Sequence, residues 1–93
     1  MPRAPRRKPR RLAGKLLHIR LALGLSQNEM IQHLNLSDAI QQGSISGYEL
    51  GTRVPPLDVL LLYARAGGVC LDVLVDDKID LPPKLPSKPK HRS

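Results

Sequence analysis

The chain has 93 residues, 15 Lys+Arg against 8 Asp+Glu, and a formal net charge of +7. That length allows one small domain and excludes most self-contained enzymes, whose framed pocket needs a larger core. A single Cys excludes an internal disulfide framework and a multi-Cys zinc site. No apolar run approaches a membrane span, and no apolar stretch follows the basic N-terminus as a secretory signal requires. The expectation is a cytoplasmic protein.

The positive charge sits at the ends. Residues 1–15 hold seven Lys/Arg and no acid, residues 16–80 hold four against eight acids, and residues 81–93 hold four and no acid. Seven of the nine prolines also lie in the tails (Pro2, Pro5, Pro9, Pro82, Pro83, Pro86, Pro89). Frequent proline, few apolar residues and mutually repelling charge predict a mobile basic arm over 1–11 and a mobile Pro/Lys-rich tail over 81–93. The foldable part is then 12–80.

Five helices are expected there. The first covers Leu12–Leu23, because Leu12, Leu16, Ile19 and Leu23 recur at four- and three-residue spacing and Gly24 follows. The second begins at Ser26, where Ser26 and Glu29 form a capping box, and it buries Met30, Ile31 and Leu34 before a stop at Asn35. Residues 35–44 are open to more than one reading: Ser37 and Asp38 can cap a new helix, whereas Gly43 weakens one. The third helix ends at Leu50 before Gly51, with Ile45 and Tyr48 inward. Pro56 suits the first turn of a fourth helix over Leu57–Ala66, with Leu57, Leu60, Leu61 and Ala64 as its stripe. A short fifth, Leu71–Val75, turns Leu71 and Leu74 inward. Strand-type alternation is missing, so the class is all-α.

Several stretches in this order carry a resemblance. Arg20 precedes Gly24-Leu25-Ser26-Gln27 and Leu34-x-Leu36-Ser37. Ile45-Ser46-x-Tyr48-Glu49-x-Gly51-x-Arg53-x-Pro55 comes next, then Leu60, Ala64, Gly68-Val69 and Leu71-Asp72-x-Leu74. Over residues 12–75 the chain resembles the Cro/repressor-type helix-turn-helix regulators, the XRE family. The resemblance implies a compact, lambda repressor-like five-helix domain that places its third helix in the major groove of DNA. One departure stands out. Ser37 and Ile45 are eight residues apart, farther than in the family. The extra residues either lengthen the third helix or bulge toward the DNA.

Roles follow residue by residue. Gln27 opens the second helix, where an amide beside free N–H groups suits a phosphate oxygen; the resemblance gives it that grip. Gln41, Gln42, Ser44, Ser46 and Gly47 lie on or near the outer face of the third helix. A Gln there can pair with adenine N6/N7 and a Ser can reach a base or a phosphate; alternatively Gln41 and Gln42 belong to the inserted turn and only meet solvent. Gly47 offers no side chain where the family often reads a base. Arg53 is expected at a phosphate. The resemblance pairs Arg20 with Glu49 as a largely buried ion pair. Arg6, Arg7, Lys8, Arg10 and Arg11 form a basic arm that either enters a minor groove or merely solvates the chain.

Leu17, Leu21, Val59, Leu62 and Tyr63 fall off the main stripes. They fill a crowded core beneath Leu36 and Ile40, or they mark a weak homodimer surface on helices one and four. Cys70 reads as a small buried hydrophobe, and His18 and His33 as surface residues without metal spacing. Neither a nucleophile triad nor a phosphate-cradling Gly loop occurs, so no enzyme, metal or cofactor is expected. The expected function is a sequence-specific DNA-binding transcriptional regulator, a repressor, associated with the nucleoid. The rival is a protein-interaction or antitoxin-like adaptor that binds DNA only through its tails.

Overall fold

A computed structural model describes residues 10–82. Five helices succeed one another: α1 (Leu12–Leu23), α2 (Gln27–His33), α3 (Gln42–Leu50), α4 (Leu57–Gly67) and α5 (Leu71–Val75). The described residues contain no strand.

The expected stripe of α1 is buried, with Leu12, Leu16, Ile19 and Leu23 all in the core. Gly24 ends the helix in the left-handed region at φ 74°, and its N–H donates to the Arg20 and Leu21 carbonyls. Ser26 and Glu29 form the capping box: the Ser26 hydroxyl accepts from the Glu29 N–H, and the Glu29 carboxylate accepts from the Ser26 N–H. Leu25 and Met30 flank it and are both buried, as a hydrophobic staple requires. Met30, Ile31 and Leu34 pack inward against Ile45 and Tyr48 in one cluster.

The stretch between α2 and α3 settles as a turn. The Ala39 and Ile40 N–H groups both donate to the Leu36 carbonyl, Leu36 and Ile40 rest on the core, and α3 begins only at Gln42. The residues between Ser37 and Gln42 therefore lie before α3 and do not lengthen it.

Helix α4 corrects the sequence reading. Its buried face is Val59, Leu60, Tyr63, Ala64 and Gly67, whereas Leu57 is 70% exposed and Leu61 38%. The helix is apolar on nearly every side, so its own spacing cannot fix its phase; contact with α1 does. Gly67 is part of that contact, since a Cβ there would stand 3.1 Å from Ile19 Cδ1. Of the residues off the main stripes, Val59 and Tyr63 take the core alternative, Leu17 and Leu62 are half-buried, and Leu21 stays exposed. The helix starts at Leu57 as expected, with Pro56 as its N-cap. Cys70 is also corrected: it is exposed and caps α5 in an extended conformation. In α5, Leu74 is fully buried and Leu71 partly so.

A polar clasp joins the two ends of the domain. Lys15 is only 4% exposed, and its ammonium donates to the carbonyls of Val73 (2.6 Å), Asp76 (2.9 Å) and Ile79 (2.6 Å). The Val73 and Asp76 carbonyls belong to the end of α5, where a cation also meets the negative pole of the helix. Asp77 acts in the opposite direction, at the start of α1: its carboxylate accepts from the Arg10 and Arg11 N–H groups at 2.9 and 3.0 Å. Arg11 supplies no side-chain cap to α1 and no acid lies in its first turn, so Asp77 caps the helix from the far end of the domain. Arg11 also pairs with Asp80 and donates to the Asp77 carbonyl.

Candidate nucleic-acid interface

The site grows outward from a buried ion pair. Arg20 on α1 meets Glu49 on α3 through two bonds, Nε to Oε2 at 2.6 Å and Nη2 to Oε1 at 3.0 Å. The side chains are only 13% and 5% exposed. The third guanidinium nitrogen donates to the Leu25 carbonyl at 2.9 Å, which ties the α1–α2 corner to the pair. This two-pronged geometry is the strong form of the interaction. Hydrogen bonding to Glu49 raises the Arg20 pKa against an opposing effect of burial.

Two amides carry this order to the surface. A carboxylate can only accept, so Gln27 turns its NH2 to Glu49 Oε1, at 3.1 Å, and presents its oxygen outward. Gln42 donates to that oxygen, also at 3.1 Å. The Gln42 oxygen and its second amide N–H remain, which is the donor–acceptor combination an adenine edge accepts. Gln27 and Gln42 are the first residues of α2 and α3, so the positive ends of two helix dipoles meet here. Gln41 caps α3 by position alone, without a side-chain hydrogen bond.

Past this pair the face of α3 is open. A groove of about 510 Å³ runs beside Ser46, Gly47, Leu50 and Arg53. Arg53 is exposed and reaches back so that its guanidinium donates to Ser44 Oγ at 3.3 Å. Gly47 explains how it lies down: a Cβ at Gly47 would stand 2.9 Å from Arg53 Cδ and 3.0 Å from Cγ. The missing side chain at Gly47 therefore gives the Arg53 stem its bed. Thr52 secures the turn after α3 by donating to the Gly47 carbonyl.

Of the residues expected at the site, Gln27, Gln42, Ser44, Ser46 and Arg53 lie at this end of the domain. Gln41 is beside them and exposed, and Gly47 is buried beneath Arg53. The Arg11 side chain is engaged by Asp80 and the Asp77 carbonyl, whereas Arg10 is tied to Asp77 only through its backbone N–H and its side chain is exposed. Arg6, Arg7 and Lys8 lie outside the described residues, as does the tail from 83 onward. Lys15, counted by sequence among the tail charges, is a core residue; its place beside Leu12, Leu16 and Ile19 was the available signal.

Buried beneath the site, Tyr63 is fully enclosed, and its hydroxyl has no hydrogen-bond partner. Burial pushes its pKa up, and the Glu49 charge adds to that shift.

Comparison of the chain with family models, curated proteins and solved structures returned no match. No helix among the described residues is long and apolar enough to cross a membrane.

Proposed function

We propose that this protein is a sequence-specific double-stranded DNA-binding regulator, a repressor of the helix-turn-helix type, acting on the bacterial nucleoid. The observation that supports this best is the chain of contacts from Arg20–Glu49 through Gln27 to Gln42. It holds a free amide edge at the start of an exposed helix, where a side chain reading the major groove belongs. Arg53 supplies a cation next to that helix. The tails supply charge: residues 1–9 contribute Arg3, Arg6, Arg7 and Lys8 and no acid.

The work divides between the two. Bases are read by α3, phosphates are gripped by Arg53 and by the second amide N–H of Gln27, and the tails add sequence-blind affinity. Leu21, Leu57 and Leu61, exposed on α1 and α4, favour a weak dimer that would span two half-sites. The same residues favour the adaptor reading if a different protein covers them.

Selection from random duplex DNA with the full chain tests the proposal. The expected result is a short consensus whose affinity drops on Gln42→Ala, over a salt-dependent background that truncation of residues 1–9 reduces. For every phosphate that the arm neutralises, truncation should flatten the salt slope by about 0.9. Binding without any consensus would leave the adaptor reading.

A further inference from the structure

On the outward face of α3, Gln42, Ser46 and Leu50 stand at four-residue steps, which places them one above another. Leu50 is 74% exposed, more than any other large apolar side chain among the described residues. It lines the same groove as Ser46 and Arg53, so it continues the surface proposed to read DNA. Little stands in front of the helix: Ser46 is small, and a Cβ added at Gly43 would meet nothing within 4 Å.

We propose that Leu50 is a specificity residue that packs on the C5-methyl group of a thymine. The inference rests on the DNA-binding reading above. In the major groove the thymine methyl is the apolar feature of the base edges; the other edge groups are hydrogen-bond donors and acceptors. Leucine has neither, so against a guanine or cytosine edge it strips water from polar atoms and returns no bond. Against the methyl it removes apolar surface from water on both sides. Spacing sets the register. The eight-residue step from Gln42 to Leu50 covers about 12 Å of helix, at most about three to four base-pair steps, since a helix in the groove is inclined to the duplex axis. The thymine therefore stands within about four base pairs of the adenine read by Gln42.

The test uses the full chain and its selected site, replacing each thymine in turn by deoxyuridine, which lacks only the methyl. One replacement within that window should weaken wild-type binding about fourfold, the effect of one buried methyl. Leu50→Ala should bind both duplexes alike, at the wild-type affinity for the deoxyuridine form. The wild-type series does not depend on how any variant folds. A consensus with no methyl-sensitive position in the window, or a methyl effect that persists in Leu50→Ala, overturns the role of Leu50 and leaves the DNA reading intact. Loss of self-association in Leu50→Ala with the methyl effect unchanged overturns it too, and assigns the residue to a second copy of the chain. Absence of any consensus removes the DNA reading, and this inference with it.

Discussion

At one end of the molecule, polar side chains run from the buried Arg20–Glu49 pair to the exposed Gln42. At the other end, Lys15 and Asp77 close the start of α1 onto the end of α5 and reach nothing outside the fold. Both centres join distant parts of the chain by charge-assisted hydrogen bonds. They differ in where they stop. The first ends in an amide with unused hydrogen-bonding capacity. In the second, an ammonium has all three of its donors accepted by carbonyls. A polar network that ends open can serve recognition, and one that ends closed serves the fold.

The largest expected effect is on the first centre. Glu49→Ala strands the Arg20 guanidinium in a buried site and should lower unfolding stability by about 3–5 kcal/mol. Chemical denaturation measures it, and an unchanged midpoint would remove the ion pair from the account. The same variant also frees Gln27 and Gln42 to rotate, so DNA preference should weaken in whatever fraction remains folded.

Lys15→Met comes next. It leaves the Val73, Asp76 and Ile79 carbonyls without their donor, for an expected loss of about 1–3 kcal/mol. DNA affinity of the folded variant should match wild type at equal salt. A change in sequence preference would show that the clasp reaches the face proposed to read DNA.

Tyr63→Phe should move the other way. The hydroxyl is buried and unpartnered, and its removal should leave stability unchanged or raise it by up to about 1 kcal/mol. A marked loss in thermal unfolding would mean that the hydroxyl has a partner, such as an enclosed water near Glu49.

The smallest effect is one of pH. Hydrogen bonds from the Arg10 and Arg11 N–H groups hold the Asp77 pKa below its ordinary value of 3.8. Its contribution to stability is therefore complete above that value and disappears as pH falls through the lower folded one. Asp77→Asn should flatten this part of the acid limb and leave the neutral-to-alkaline range parallel to wild type. Identical acid limbs in the two proteins would deny Asp77 its capping role.

The two centres were unequally legible in the sequence. Ser26 and Glu29 stood in a local motif, and the capping box and the bounds of α1 followed from short-range chemistry, whereas Arg20 and Glu49, 29 positions apart, were paired only through the family resemblance. The clasp joins residues more than fifty positions apart, and nothing local announces that Lys15 points at the end of α5. The phase of α4 was hidden for a related reason: with apolar residues all round, tertiary contact alone picks the buried side. Cys70 looked apolar in its neighbours but occupies a cap, where the backbone turns it to solvent. The order of Gln27 and Gln42 was the least readable part of the site, because it depends on how the turn between α2 and α3 brings their first residues together.

The proposed function puts sequence recognition at Gln42 and not in the charged tails. Its most direct test compares wild type with Gln42→Ala on the selected duplex and on a scrambled one, at several salt concentrations. The expected outcome is a loss of about 1–3 kcal/mol on the selected duplex alone, with no change on scrambled DNA, in salt slope or in unfolding midpoint. Equal weakening on both duplexes, or none on either, would contradict it.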